Sequence, residues 1–226
     1  MQRVMSNFSK LSYLMQALLS LAFFIIVFGI GISWALEAIG IPFIQSATIA
    51  SQASIVLYAL WLYQFNGEEI KKELKDKINF STFWNGVKLT ILVLICNVLV
   101  GNVFPINSSE VPEQTQKIIE NNSLVMTVIL PTIIAPVFEE LAFRAGLKRL
   151  LVDKGNWSKL SYTIVSSLIF GLMHYSPGWT GLAHISLTTL MGIVYSTVYL
   201  KTENIGIPIV SHMLYNGLVV TLASLV

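Results

Sequence analysis

Long apolar runs without charged residues restrict the fold of this 226-residue chain more than any other feature. Each is about 20 residues long, which is the length a helix needs to cross the hydrocarbon core of a bilayer. Their approximate limits are 12–36, 46–65, 83–104, 123–147, 159–176, 180–200 and 206–225. Only 12% of the residues are charged, whereas soluble domains carry about 25%. We therefore predict an all-α polytopic transmembrane bundle of about seven spans, with residues 1–226 forming a single membrane domain.

The lysines and arginines predict how these spans are oriented. If the N-terminus is cytoplasmic, nearly all basic residues in loops fall on the inner side, and only Lys117 falls outside, in the connector 105–122. This asymmetry is the positive-inside pattern of membrane proteins. The first run follows Arg3 and Lys10 as in a signal peptide, but its apolar core is long and lacks a small-residue cleavage site. We therefore expect a retained anchor, a lipid bilayer as surroundings and no nucleic-acid partner.

Residues 66–80 form a polar segment between the second and third runs. Ile70, Leu74 and Ile78 recur at helical spacing among charged residues, a pattern that indicates an amphipathic helix. We predict that this helix lies on the inner membrane surface. The sole cysteine, Cys96, excludes an internal disulfide and a cysteine-based metal cluster.

The fourth run contains two adjacent carboxylates and an arginine. Burial of such charges in a membrane is costly unless they pair or have a function. Glu140 and Arg144 are four residues apart and share a helix face, whereas Glu139 points about 100° away. Pro131 and Pro136 precede them, and each proline removes a backbone donor and leaves a carbonyl that needs another partner. Glu140 is thus predicted to be structural and Glu139 chemical, although a salt-bridged helix end near the membrane surface also fits these residues.

Two later runs each place a histidine one turn from another notable residue. Phe170 and His174 share a face shortly before a helix break predicted at residues 177–178, and His212 and Asn216 share a face in the last run. The second pair fits either interhelical packing or two hydrogen-bond donors aimed at one atom. His184 has only a threonine as polar neighbour one turn away, and we place it outside the predicted site.

These side chains together match the needs of amide hydrolysis. The reaction requires a base that activates water, donors for the oxyanion and a proton for the leaving amine. Glu139 is the candidate base, His174 the group that shares or positions the water, and His212 and Asn216 the oxyanion donors. The motifs G-x-S-x-G and H-E-x-x-H are absent from the sequence, so the usual serine-hydrolase and zincin signatures are missing.

Three spaced motifs carry a resemblance to a known family. In order, they are Glu139-Glu140-x-x-x-Arg144, Phe170-x-x-x-His174 and His212-x-x-x-Asn216. They resemble the motifs of the CPBP family of CAAX proteases and bacteriocin-processing enzymes, also called the Abi family. The motif-bearing core covers about residues 123–218, and the first three spans, at about 12–104, carry none of these motifs.

The resemblance implies an intramembrane glutamic endopeptidase without a cofactor. In that mechanism, the residues matching Glu139 and His174 activate water, and those matching His212 and Asn216 form the oxyanion hole. The supporting positions match Glu140 and Arg144. The expected substrate is a membrane-associated peptide or protein in the plasma membrane of a prokaryote, in peptide maturation or in bacteriocin self-immunity.

Alternatives remain open at the sequence level. Two histidines and one glutamate also make an acceptable catalytic zinc set, which would define a zinc-dependent membrane peptidase. A non-catalytic immunity or scaffold protein would use the same polar groups to bind a partner in the bilayer. A proton-coupled transporter would explain the buried carboxylates as well.

Overall fold

The computed structural model describes residues 2–64, 67–103, 125–175 and 179–224, and this part of the chain is helical without strands. The α-helices are α1 (Gln2–Phe23), α2 (Gly31–Ala38), α3 (Phe43–Tyr63), α4 (Gly67–Lys77), α5 (Phe80–Val103), α6 (Ala135–Glu140), α7 (Lys159–Leu172), α8 (Trp179–Thr202) and α9 (Gly206–Ala223). Segments with the wider π-helical winding are Phe24–Ile30, Val125–Ile134, Leu141–Gly146 and Arg149–Lys154. The predicted connector 105–122 and the predicted break at 177–178 lie outside the described residues.

Several helices have the length and composition of membrane spans. Four of them qualify on both counts, namely Ser12–Ala38, Gln45–Tyr63, Phe80–Val103 and Gly181–Thr202. Lys159–Leu172 and Gly206–Leu222 are apolar but shorter. The prediction of an all-α membrane bundle is confirmed. The count of seven spans, the cytoplasmic N-terminus and the single-domain assignment stay predictions.

Residues 125–154 form one helix, here called the motif helix, in which π-helical segments flank α6. π-Helical winding pairs a carbonyl with the N–H five residues later and occurs frequently at functional sites. Pro136 has no N–H. The carbonyl of Pro131, which lies within the first π segment and five residues before Pro136, therefore needs a donor from another helix.

The motif helix lies at the centre of the larger apolar core. Its fully buried Phe143, Leu147 and Leu150 belong to a cluster with Tyr58 and Leu62 of α3. A second cluster joins α5, α8 and α9. The helix that carries the two glutamates is thus enclosed by the N-terminal helices on one side and by the C-terminal helices on the other.

Small residues bring α7 and α8 into close contact. A Cβ atom on Gly192 would lie 2.9 Å from the Cα atom of Ser167, and one on Gly171 would lie 1.9 Å from the Thr189 hydroxyl. Small residues are the usual means by which membrane helices approach closely. This contact fixes the position of the α7 C-terminus, and His174 lies two residues after the end of that helix.

The predicted amphipathic helix is present as α4, and its apolar stripe packs on the bundle itself. Ile70 is buried in a cluster with Tyr199 and Ile205. The half-buried Glu73 carboxylate accepts hydrogen bonds from the Ile205 N–H and the Tyr199 hydroxyl, and burial raises its pKa above the ordinary value. Lys77 donates to the carbonyl of Glu203. Helix α4 therefore holds the turn that leads into α9.

Candidate active site

The Glu140–Arg144 ion pair predicted from the sequence is present and fully buried. The Nε atom of Arg144 lies 3.0 Å from Oε2 of Glu140. The guanidinium also lies over the Phe170 ring, 4.5 Å from its centroid, an arrangement that adds cation–π attraction. The buried cation is thus neutralised within its own helix and covered by the aromatic residue of the second motif.

His212 connects the third motif to both glutamates of the first. Its Nδ1 atom lies 3.0 Å from Oε1 of Glu140, and its Nε2 atom lies 3.8 Å from Oε2 of Glu139. Because a carboxylate paired with Arg144 can only accept, Nδ1 is assigned the proton of this hydrogen bond. Glu140 therefore fixes the orientation of the imidazole, a contact that the spacing within the last run did not reveal.

His174 is oriented by the backbone of its own helix. Its Nδ1 atom lies 2.7 Å from the Phe170 carbonyl oxygen, one of the carbonyls left free at a helix C-terminus. A carbonyl can only accept, so Nδ1 carries the proton, and in the neutral ring Nε2 is an acceptor. The Phe170 ring lies 4.7 Å from the His174 ring and 5.9 Å from the His212 ring, centroid to centroid. Phe170 therefore sets the position of both imidazoles.

Asn216 supplies the donor that the Pro131 carbonyl lacks. Its Nδ2 atom donates to this oxygen over 2.8 Å. Because the partner is an acceptor, the orientation of the amide is defined, and the second N–H of the same nitrogen points elsewhere. The proline-rich start of the motif helix and the last helix are thus joined at the candidate site.

All four predicted chemical side chains line one cavity of about 230 Å³, here called the catalytic cavity. They are Glu139, His174, His212 and Asn216. His184 lines the same cavity, and its ring centroid is 5.7 Å from that of His174. The expectation that His184 lies apart from the site is therefore wrong. It was missed because its polar neighbour one turn away on α8 is only a threonine, and the groups it faces come from other helices.

A second cavity, of about 410 Å³, adjoins the first. It lies between α1–α2 and α3, and we call it the hairpin cavity. Its walls include Ile25, Ile30, Trp34, Phe43 and Ile55. Three residues line both cavities, namely Gln52, Glu139 and His174. The spans without motifs thus form a largely apolar chamber that opens beside the candidate base.

The prediction that no metal is needed concerns the same side chains. Within the described ranges, no three His, Cys, Asp or Glu side chains are arranged to hold a metal ion. The zinc alternative is addressed by the elemental analysis proposed below.

Comparison with known proteins relates this geometry to a family. The family model described as Type II CAAX prenyl endopeptidase Rce1-like matches residues 121–218, the stretch that contains the three motifs. The chain is 28% identical over 177 residues to YdiL of Bacillus subtilis (strain 168), whose name assigns it provisionally to the membrane peptidases; the alignment covers 77% of this chain and 69% of that protein. It is also 28% identical over 205 residues to the membrane-embedded CAAX protease MroQ of Staphylococcus aureus (strain USA300), covering 80% and 78%. No solved structure matches the chain.

Proposed function

Because the chain belongs to the CPBP family of membrane CAAX-type proteases, we propose that it is an intramembrane glutamic endopeptidase. The observation that carries this proposal is the convergence of Glu139, His174, His212 and Asn216, from three separate parts of the chain, on one cavity. Buried acidic, basic and amide groups that meet in a cavity are the expected composition of a hydrolytic site.

In the first step, a water molecule attacks the carbonyl carbon of the scissile peptide bond. The Glu139 carboxylate removes one water proton as the new carbon–oxygen bond forms. The unprotonated Nε2 atom of His174 accepts a hydrogen bond from the other water O–H and orients the nucleophile. The Nδ1 contact with Phe170 supports this role because it leaves Nε2 free to accept.

The developing oxyanion is stabilised from the last helix. The free N–H of the Asn216 amide and the Nε2–H of His212 donate to it. Donation from both nitrogens requires the doubly protonated form of His212, with Nδ1–H directed at Glu140. The buried Glu140–Arg144 pair acts through His212, so these two residues are positioning residues.

In the second step, the tetrahedral intermediate collapses and the carbon–nitrogen bond breaks. The proton held by Glu139 passes to the leaving nitrogen, so one fragment ends in an amine and the other in a carboxylic acid that keeps the second water proton. Glu139 returns to its ionised state without an exchange of electrons with any cofactor. The substrate class we propose is a membrane-associated peptide or protein, in peptide maturation or in self-immunity against a bacteriocin.

Profiling of new protein termini tests the proposal directly. Membranes with the wild-type protein, Glu139→Gln or Glu68→Gln are compared at equal protein levels. Glu68 is an exposed residue of α4 outside both cavities, so its variant makes the same chemical change away from the site. We expect the same set of new termini with wild type and with Glu68→Gln. This set should be absent with Glu139→Gln. An unchanged set with Glu139→Gln would remove Glu139 as the base.

A further inference from the structure

The hairpin cavity has the size and surface of a binding site. Its volume of about 410 Å³ falls in the range of about 300–1,000 Å³ typical of ligand pockets. Most of its walls are aliphatic or aromatic side chains, with a few polar groups. Apolar pockets with a few placed polar groups bind ligands in a defined orientation. Most of these walls precede the stretch 121–218 that matches the family model, so they belong to the part of the chain without family motifs.

The hairpin cavity adjoins the catalytic cavity and shares lining residues with it. Glu139 and His174 line both spaces. A peptide bond beside Glu139 therefore has its neighbouring residues at the entrance of the hairpin cavity. The simplest occupant is the segment of the substrate that continues from the scissile bond.

Gln52 lies at this junction and carries a primary amide. It is half-buried in α3, and its side chain has no hydrogen bond to another residue of the described part of the chain. A primary amide offers two N–H donors and a carbonyl acceptor. It therefore suits the backbone of an extended peptide, which presents one acceptor and one donor at each residue.

The other end of the hairpin cavity carries a negative charge. Glu37 lines it near the end of α2, and the buried Ser33 hydroxyl donates to Oε1 of Glu37 over 3.0 Å. No cationic side chain of the described ranges pairs with Glu37. Glu37 is exposed at this end, so the complementary ligand group is a cation held at the mouth of the cavity.

Helix geometry gives the spacing between the two polar points. Phe43 lines the cavity across the α2–α3 turn from Glu37. It precedes Gln52 by nine residues on α3. At 1.5 Å per residue this separation is about 13 Å. An extended peptide rises about 3.3 Å per residue, so about four residues span it.

We propose that the hairpin cavity binds about four extended, mainly apolar residues on one side of the scissile bond, with Gln52 holding their backbone and Glu37 selecting a basic side chain at the far end. This inference rests on the proposed endopeptidase function, to which it adds a substrate class. Gln52 and Glu37 are specificity and positioning residues, and neither takes part in the bond-breaking steps.

A synthetic peptide pool tests the selection by Glu37. Each peptide has a leucine–alanine background with one lysine at a scanned position, and a second pool carries glutamate at the same positions. Both are incubated with the purified full chain in proteoliposomes, and products are read by mass spectrometry. We expect wild type to cut the lysine pool about four residues from the lysine and to disfavour the glutamate pool by about tenfold in kcat/KM, because Glu37 attracts one charge and repels the other.

Variants separate the two proposed contacts. Glu37→Gln should abolish the preference for lysine and Glu37→Lys should reverse it, whereas Glu68→Gln should keep it. Gln52→Leu should raise KM by about tenfold with a smaller change in kcat, because a contact made equally in the ground and transition states affects binding alone. Gln52→Asn should recover part of this loss. A lysine preference that survives Glu37→Lys, or a Gln52→Leu variant that loses kcat at unchanged KM, would overturn the inference.

A binding experiment keeps this inference separate from the hydrolytic function. The Glu139→Gln protein is photo-crosslinked to lysine and glutamate peptides that carry benzoylphenylalanine between the charge and the chain centre. We expect crosslinks to α3 that favour the lysine peptide and are lost with Glu37→Lys. This result would support the binding site even if the wild-type protein cuts neither peptide pool. If the wild-type protein cleaves the peptides but the crosslinks lie outside the hairpin cavity, the hydrolase proposal is supported and the proposed binding site is refuted.

Discussion

Glu140 is enclosed by Arg144 and His212, whereas the neighbouring Glu139 faces both cavities. The two carboxylates therefore differ in what their removal leaves behind. Loss of the Glu140 charge leaves a buried cation without its partner. Loss of the Glu139 charge leaves a polar side chain of the same shape beside open space.

We expect Glu139→Gln and Glu140→Gln to fail in different ways. Glu139→Gln should abolish cleavage and melt near the wild-type temperature, because the amide keeps the shape but is not a base. Glu140→Gln should lose about 3–5 kcal/mol of stability, the usual cost of an unpaired buried charge. Thermal unfolding in detergent and a cleavage assay measure both effects. Equal melting losses, with Glu139→Gln still active, would contradict the assignment.

A double variant separates the proposed oxyanion contact of Asn216 from its hydrogen bond to Pro131. Asn216→Ala should reduce kcat by about 10²–10³ through the lost oxyanion donor, and stability by about 1–3 kcal/mol through the unpaired Pro131 carbonyl. Pro136→Ala supplies a backbone N–H five residues after Pro131, so the double variant should regain stability. It should not regain kcat. Recovery of both together would make Asn216 a structural residue only.

At the level of helices, the close contact of α7 and α8 controls where His174 lies. Gly192→Ala should force the two backbones apart, because the new Cβ meets the Ser167 Cα atom at 2.9 Å. We expect activity to fall strongly while the melting temperature changes little. Gly101→Ala on α5 is the matched control, since nothing lies within 4 Å of its Cβ position, and it should be neutral or slightly stabilising. Similar activity in both variants would show that the contact does not position His174.

The docking of α4 should depend on pH through Glu73. Burial raises the pKa of Glu73 in the folded protein. Protonation of Glu73 therefore stabilises the fold. This stabilisation is complete below the pKa of Glu73 in the unfolded chain and is lost as the pH rises through its pKa in the folded protein. Glu73→Gln keeps an acceptor for Ile205 without the charge. The melting temperature of wild type relative to Glu73→Gln should therefore fall as the pH rises above the ordinary carboxyl pKa. The same difference in melting temperature, measured against the exposed Glu68→Gln variant, should change less with pH. A difference between wild type and Glu73→Gln that rises with pH would contradict this prediction.

At the scale of the whole molecule, the proposed reaction needs no metal. Purified active protein should contain less than stoichiometric zinc and keep its activity in strong chelators, because in the proposed reaction Glu139 activates the water. Elemental analysis before and after chelation measures this. One tightly held zinc per chain, lost together with activity, would favour the zinc peptidase instead.

The sequence predicted the parts of the fold that depend on one helix at a time. Apolar runs gave the membrane bundle, and four-residue spacing gave the Glu140–Arg144 pair. The prolines predicted a carbonyl in need of a donor, but nothing in the spacing identified Asn216 as that donor. The contact of His212 with Glu140 and the place of Gln52 depend on the register at which separate helices pack. Apolar periodicity does not encode this register.

The hydrogen bond between His212 and Glu140 has a consequence for the order of events on the ribosome. Glu139, Glu140 and Arg144 emerge about seventy residues before His212, a delay of several seconds at about 5–20 residues per second. During that interval the Glu140–Arg144 pair is neutralised within its own helix, but the proposed oxyanion donors do not yet exist. The nascent protease is therefore harmless to neighbouring nascent chains until its last described helix has entered the bilayer.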